Sequence, residues 1–181
     1  MIINDDDLFF PNNLLPSLIP LTIVCGPPAA GKTNFVRKTA QPDDLIIDLD
    51  DIIVRHFGAS AGRTDDWEIR EQGLRIRNEM LAGLSMPSRR RAAWFITMAP
   101  RADTREHWRQ MLRPIRIVVI KTPMHVCIAR LAHDPMRKAN VRTQGQVIRR
   151  WWRDYEPRPG DKVYETRFYQ SAGLAAWAEQ A

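Results

Sequence analysis

The chain has 181 residues, 44% of them hydrophobic and 27% charged, enough for one domain with a full core. No apolar run reaches the roughly 18 residues of a membrane-spanning helix, and the acidic start "MIINDDDLFF" is unlike a basic export leader. Two cysteines in apolar surroundings, Cys25 and Cys127, exclude a disulfide framework and read as reduced core thiols of a cytoplasmic protein.

Residues 1–20 read as an N-terminal extension broken by Pro11, Pro16 and Pro20; its Leu8, Phe9, Phe10, Leu14 and Leu15 are expected to pack on the domain or on a partner. One domain is expected over 21–181. It opens on Leu21–Cys25, whose β-branched run predicts a buried parallel strand. Next comes "GPPAAGKT", which matches G-x-x-x-x-G-K-[ST] at Gly26, Gly31, Lys32 and Thr33, followed by a helical pattern from Asn34. Strand, glycine loop and helix are the setting this phosphate-binding motif requires. Gly26 lets the chain leave the strand sharply, and Gly31 lets N–H groups close on phosphate oxygens. The helix start adds N–H donors and partial positive charge. Residues Gly26, Pro27, Pro28, Ala29, Ala30, Gly31, Lys32, Thr33 and Asn34 are therefore expected to cradle ATP or GTP. Lys32 is suited to bridge the terminal phosphates, and Thr33 to ligate Mg²⁺.

Asp43-Asp44 turns into a second strand, Leu45–Asp48, and "RHFGASAGRTDD" reads as a loop. Asp65-x-x-Glu68 predicts a capping box for a helix to about Leu84. After Arg89-Arg90-Arg91, Ala92–Thr97 is a third strand; Asp103-x-x-Glu106 caps a helix to about Leu112; Arg116–Ile120 is a fourth strand. Thr122 is expected as an N-cap and Pro123 in the first turn of a helix through Leu131. "HDPMRKANVRTQ" lacks periodicity, and helix resumes at 146–155, with Val147, Trp151 and Tyr155 four apart beside Ile148 and Trp152. Strands alternating with helices predict an α/β fold: a parallel sheet of about five strands with right-handed crossovers and helices on both faces.

Charge is uneven. Residues 1–87 hold 8 Lys/Arg against 13 Asp/Glu, a balance of −5; residues 88–158 hold 17 against 5, a balance of +12. Nearly all of the basic block is arginine, which suits bidentate phosphate contacts, so a DNA or RNA partner and a solvated kinase lid both fit it. Trp151 and Trp152 beside Arg149, Arg150 and Arg153 could stack bases, but their spacing with Val147 and Ile148 favours the core. The four histidines show no ligand spacing for zinc.

The second strand ends in "LIIDLDD". In a parallel sheet the C-terminal strand ends line the ligand crevice, which places Asp48, Asp50 and Asp51 beside the glycine loop. If the strand persists, Asp48 and Asp50 share a face. A carboxylate there can take a proton from an attacking hydroxyl or help hold Mg²⁺. Asp50 is the expected base, Asp48 a metal or substrate ligand, and Asp51 a substrate contact.

"GPPAAGKT", "IIDLDD" and the arginine-rich segment after the fourth strand resemble the small P-loop kinases: polynucleotide 5′-kinase, zeta-type toxins, chloramphenicol phosphotransferase and gluconate kinase. Many such chains come from phage or prophage genomes, which would place this one in a host cytoplasm. The resemblance covers about residues 20–160. It implies that Asp50, the first Asp of "DD", activates the acceptor hydroxyl. It also implies a P-loop NTPase fold with an arginine-rich lid at about 133–145, in which Arg137 contacts the transferring phosphate. Arg130, a lid anchor just upstream, joins Lys32, Asp50 and Arg137 in the catalytic set. Lys138 and Arg142 lie in the same nonperiodic stretch and can add charge there. "TMAPRADTREHW" lies where polynucleotide kinases have a substrate loop, which nominates Arg101 and Arg105. Two positions depart from that pattern: Thr97 stands where an Asp is expected, and Ile53 where an arginine is, with Arg55 nearby.

Three functions remain open. One is a kinase that moves a γ-phosphate to a hydroxyl, on a nucleic-acid end, a nucleoside or nucleotide, or a small molecule or nucleotide sugar as in the zeta-type toxins. Another is a nucleotide-gated accessory in viral DNA handling, and the third a nucleic-acid binding module. A motor-type ATPase needs a hydrophobic strand ending Asp-Glu, and neither Phe95-Ile96-Thr97-Met98 nor Ile120-Lys121 supplies it. That favours phosphotransfer. The acceptor and the oligomeric state are not written in the chain.

Overall fold

Five short strands form the frame of the computed structural model, which describes residues 11, 13–58, 66–133 and 141–165. In chain order the elements are β1 (Leu21–Cys25), α1 (Lys32–Thr39), β2 (Leu45–Asp48), α2 (Leu49–Phe57), α3 (Trp67–Gly83), β3 (Ala93–Ile96), α4 (Ala102–Leu112), β4 (Arg116–Lys121), α5 (Met124–His133), α6 (Val141–Asp154) and β5 (Lys162–Glu165). The sheet order is β2-β3-β1-β4-β5, and every pairing is parallel. β1 sits at the centre: the chain leaves it for β2 on one side, then passes it again from β3 to β4. Its C-terminal end is thus the reversal point where open α/β sheets bind ligands.

The central strands are apolar on both faces because helices cover both. Leu21, Ile23, Phe95, Ile117 and Val119 point into one core with Trp108, Leu112 and Trp151. Their neighbours Val24, Trp94, Ile96, Val118 and Ile120 point into the other with Val36, Cys127 and Leu131. Trp151, 1% exposed, packs as its spacing predicts; it stacks on Tyr155 at 5.0 Å and donates from Nε1 to the Met98 carbonyl at 2.7 Å. Of the extension, Leu14 is buried while Leu15 is 61% exposed; Leu8, Phe9 and Phe10 lie outside the described residues.

Several local expectations need correction. The cap of α3 is Asp66, whose carboxylate accepts from Glu68 and Ile69 N–H; Asp65 lies outside the described residues. α4 starts after Arg101, and its Ala102 N–H is met by the Glu156 carboxylate at 3.0 Å, while Asp103 takes the Arg101 guanidinium. The Thr122 hydroxyl turns to the Ala30 carbonyl at 2.8 Å. α6 begins at Val141, ahead of the expected start at 146, and the fifth strand is the exposed Lys162–Glu165. A tertiary partner decided the start of α4 and the direction of Thr122, and no local pattern announces either.

Candidate active site

The glycine loop leaves β1 at Gly26, where a Cβ would meet the Ile120 carbonyl oxygen at 2.6 Å, so only glycine lets β1 and β4 close here. Ala29 has φ 58, and Gly31, at φ 97, is the N-cap of α1. Left-handed residues in a tight loop turn successive N–H groups to one side, which makes an anion-binding concavity. Behind that concavity the carbonyls are held. Arg130 Nη1 donates to Ala29 and Ala30 oxygens at 3.1 Å each, and Thr122 adds its bond to Ala30. Arg130 thus supports the loop from α5, and burial lowers its pKa.

Lys32, the first residue of α1, lays its ammonium on the Gly26 and Pro27 carbonyls at 2.8 and 2.9 Å. Burial lowers its pKa, and the charges of Asp48 and Asp50 oppose that. Thr33 Oγ1 donates to Asp48 Oδ2 at 2.8 Å. Asp48 is 7% exposed and caps α2, its Oδ1 accepting from Asp50 N–H at 3.2 Å. Burial pushes the Asp48 carboxyl up to about 6, the Asp50 charge adds to it, and the Thr33 bond opposes it. β2 stops at Asp48 and α2 starts at Leu49, so a helix start, not a shared strand face, brings Asp50 beside Asp48. Asp50 is exposed in the first turn, where the helix dipole favours a carboxylate.

A family profile described as an AAA domain (AAA_33) matches residues 21–157. The chain belongs to this AAA domain family. No curated protein matches its sequence. Among solved structures it is similar to the shikimate kinase of Acinetobacter baumannii in complex with shikimate: 23% identity, TM-score 0.50, covering 84% of this chain and 87% of that one. It is also similar to a candidate kinase of Chloroflexus aurantiacus: 16% identity, TM-score 0.55, covering 88% and 94%. At these identities the shared property is the fold, an α/β P-loop kinase-like domain.

The AAA domain brings only part of the expected set together. Lys32, Thr33, Asp48 and Asp50 converge. Asp51 instead takes Arg37 Nη2 at 2.9 Å on the surface, and Arg55 is exposed in the last turn of α2, away from Asp50. Arg101 pairs with Asp103 in solvent. Arg105, expected to touch substrate, is 0% exposed. It donates to Asp161 at 2.7 Å and to the carbonyls of Ala99, Pro100, Arg101 and Glu156, so substrate cannot reach it. Arg137 and Lys138 lie outside the described residues; Arg142 is exposed in the first turn of α6. Sequence reading passed over Arg70 and Arg77 on α3. Arg77 is 2% exposed over the Phe95 ring at 5.9 Å, and burial lowers the pKa of Arg70. Their spacing with buried Gly73 and Leu74, i, i+3, i+4 and i+7, was the available signal.

Among the described residues no group of three or more His, Cys, Asp or Glu could hold a metal ion. A hydroxyl and a carboxylate in contact, Thr33 and Asp48, nevertheless fit Mg²⁺, which takes few protein ligands and completes its shell with water and phosphate oxygens. Among those residues no helix is long and apolar enough to cross a membrane.

Proposed function

We propose that this AAA domain is a Mg-ATP-dependent phosphotransferase that moves the γ-phosphate to a hydroxyl on a nucleic-acid end, nucleoside or nucleotide. The observation that supports this best is the Thr33–Asp48 contact, which joins the phosphate loop to the acidic end of β2 in one cluster. A kinase-like fold is consistent with it, as is β3 running into buried Thr97 in place of the Asp-Glu that a water-activating ATPase needs.

In this reading the N–H groups of Ala29, Gly31, Lys32, Thr33 and Asn34 and the Lys32 ammonium bind the triphosphate. Thr33 and Asp48 would hold Mg²⁺, which when bound draws charge from the phosphate oxygens. Asp50 is exposed and takes the acceptor proton as the new O–P bond forms and the bond from the γ-phosphorus to the bridging oxygen breaks. Lys32 offsets the charge that builds on the leaving ADP. Arg130 keeps the loop in shape without touching substrate.

The test is single-turnover transfer from γ-labelled ATP to a panel of oligonucleotides, nucleosides, nucleotides and sugars, run beside an ATP titration. Asp50→Asn should cut transfer by about 10²–10⁴ and leave ATP affinity near wild type. Near-normal transfer in Asp50→Asn would remove the base, and label appearing only as free phosphate would replace the kinase by an ATPase.

A further inference from the structure

The fold divides the basic block of the sequence. Arg105, Arg150, Arg153 and Arg158 pair with carboxylates. Arg89, Arg90, Arg91, Arg113 and Arg116, of which Arg91 pairs with Asp44, collect at the N-terminal edge of the sheet, at the opposite end of the strands from the phosphate loop. β3 and β4 are the two neighbours of β1. At about 4.8 Å per strand step, the loops that feed them lie about 10 Å apart. One loop carries Arg89, Arg90 and Arg91; the other carries Arg113 and leads into Arg116.

Arg91 and Arg116 line one open concavity of about 250 Å³ together with Thr22, Asp44, Trp94 and Ile115. Both guanidinium groups are pre-oriented. Asp44, its side chain 0% exposed, accepts from Arg91 Nε at 3.1 Å and from Trp94 Nε1 at 2.9 Å. Arg116 Nε donates to Thr22 Oγ1 at 3.2 Å, and its guanidinium lies over the Trp94 ring at 6.0 Å. These contacts leave Nη1 of Arg91 and both terminal nitrogens of Arg116 with no acceptor among the described residues. No carboxylate among those residues pairs with Arg89, Arg90 or Arg113, all exposed. Against five guanidinium groups stand buried Asp44 and exposed Asp43.

We propose that this edge, centred on Arg91 and Arg116, binds a single strand of nucleic acid through its phosphodiester backbone. Two arginine rows across a concavity suit a linear polymer with regularly spaced anionic oxygens, because the arginine fork matches phosphate in two bonds. Trp94 is 5% exposed beneath Arg116, so no ring is offered to a base, and the strand is held without sequence preference. A flat anionic lipid surface would not enter the cavity. The site is separate from the phosphate loop and does not depend on phosphotransfer.

The experiment is fluorescence anisotropy of a labelled dT oligonucleotide of about 20 residues with the full chain, titrated with salt from about 50 mM. Arg90→Glu/Arg113→Glu should weaken binding at least about tenfold and flatten the slope of log K against log salt by about 1.4, or 0.7 for each lost phosphate contact. Arg149→Glu/Arg153→Glu carries the same charge change on α6 and should alter affinity less than about twofold. A dA strand should bind as dT does. Lys32→Ala should keep oligonucleotide binding, so failure of the nucleotide site and failure of this edge are separable. Both charge variants alter exposed side chains, and a melting curve confirms that they fold. The proposal is overturned if wild type binds no strand at low salt, if the α6 variant weakens binding equally, or if polyglutamate or phosphatidylserine vesicles bind more tightly than the oligonucleotide.

Discussion

Two clusters of buried charge sit at the C-terminal end of the sheet, and they are built on opposite terms. Around Arg105 every charge is matched. Its guanidinium meets Asp161, 1% exposed, and Arg158 ties that carboxylate to Glu106. Arg109 and Arg158 hold the Glu106 carboxyl well below the usual range. Around Lys32 the match is incomplete: the ammonium rests on carbonyls, Asp48 shares its site with a hydroxyl and a second carboxylate, and burial shifts both groups toward neutrality. A charge with its counter-charge in place stabilises the fold. A charge held without one is ready for a ligand, which in the proposed function is the triphosphate with its Mg²⁺.

The comparison breaks first at Arg105. Arg105→Ala leaves buried Asp161 to Arg158, without its Arg105 bond, and frees the carbonyls of Ala99 and Pro100. Ala99 itself has a positive φ of 32. Loss of one member of a buried pair costs about 3–5 kcal/mol, to be read by urea unfolding. ATP affinity of the folded fraction should stay within a few-fold. A loss below about 1 kcal/mol would mean that water replaces the pair and that the network is not a clamp.

Asp48 gives the next largest effect, with a definite sign. Its carboxyl is raised to about 6 in the folded chain, against about 3.9 unfolded. Below pH 4 both states are protonated and nothing is lost. Between pH 4 and 6 the unfolded chain releases the proton first, so the stability contributed by Asp48 falls as pH rises, by about 3 kcal/mol in all. Metal-free wild type should lose this much relative to Asp48→Asn between pH 4 and 7. Parallel stability profiles for the two proteins would show that Asp48 titrates normally.

Lys32→Ala tests the ligand side of the contrast. At a ligand concentration one hundred times Kd, Mg-ATP stabilises a one-site protein by about 2.7 kcal/mol. Wild type should show that gain in thermal unfolding, and Lys32→Ala nearly none at the same concentration. An unmoved wild-type melting temperature would sink the nucleotide reading, and with it the contrast between the two clusters.

The matched cluster was illegible in the sequence, whereas the members of the unmatched one could be placed together from it. Gly26, Gly31, Lys32 and Thr33 sit in eight consecutive residues, and a loop that wraps one phosphate chain must be local. Asp48 and Asp50 were found because parallel strands present their C-terminal ends together. Arg105 misled because its partner Asp161 lies 56 residues on, and no local pattern separates an arginine aimed at solvent from one aimed at a later loop. Separations of 54 and 92 residues likewise hid the cap of α4 by Glu156 and the role of Thr122. Four of the five strands declared themselves by buried β-branched runs; Lys162–Glu165 is exposed along its length and carries no such run.

The smallest effect belongs to the pair Arg37–Asp51, which joins the first helix after the phosphate loop to the helix that carries Asp50. Its geometry rivals that of Arg105–Asp161: Nη2 reaches both carboxylate oxygens, at 3.0 and 2.9 Å. Its setting differs, since the two side chains are 60% and 39% exposed. Water already solvates both ions in the unfolded and the single-mutant states, so little is gained by the contact and little is stranded by its loss. A double-mutant cycle through Arg37→Ala and Asp51→Ala should therefore give a coupling of about 0.2–1 kcal/mol. That coupling should shrink toward zero in about 1 M salt, where screening acts within about 3 Å. Coupling in the buried pair should hardly move under the same salt. The single variants also separate structure from chemistry. If Asp51 serves only to dock the two helices, Arg37→Ala and Asp51→Ala should lower phosphotransfer equally and slightly. A much larger loss for Asp51→Ala would return Asp51 to the acceptor site. A salt-insensitive coupling above about 2 kcal/mol would show that exposure is not what divides the two clusters.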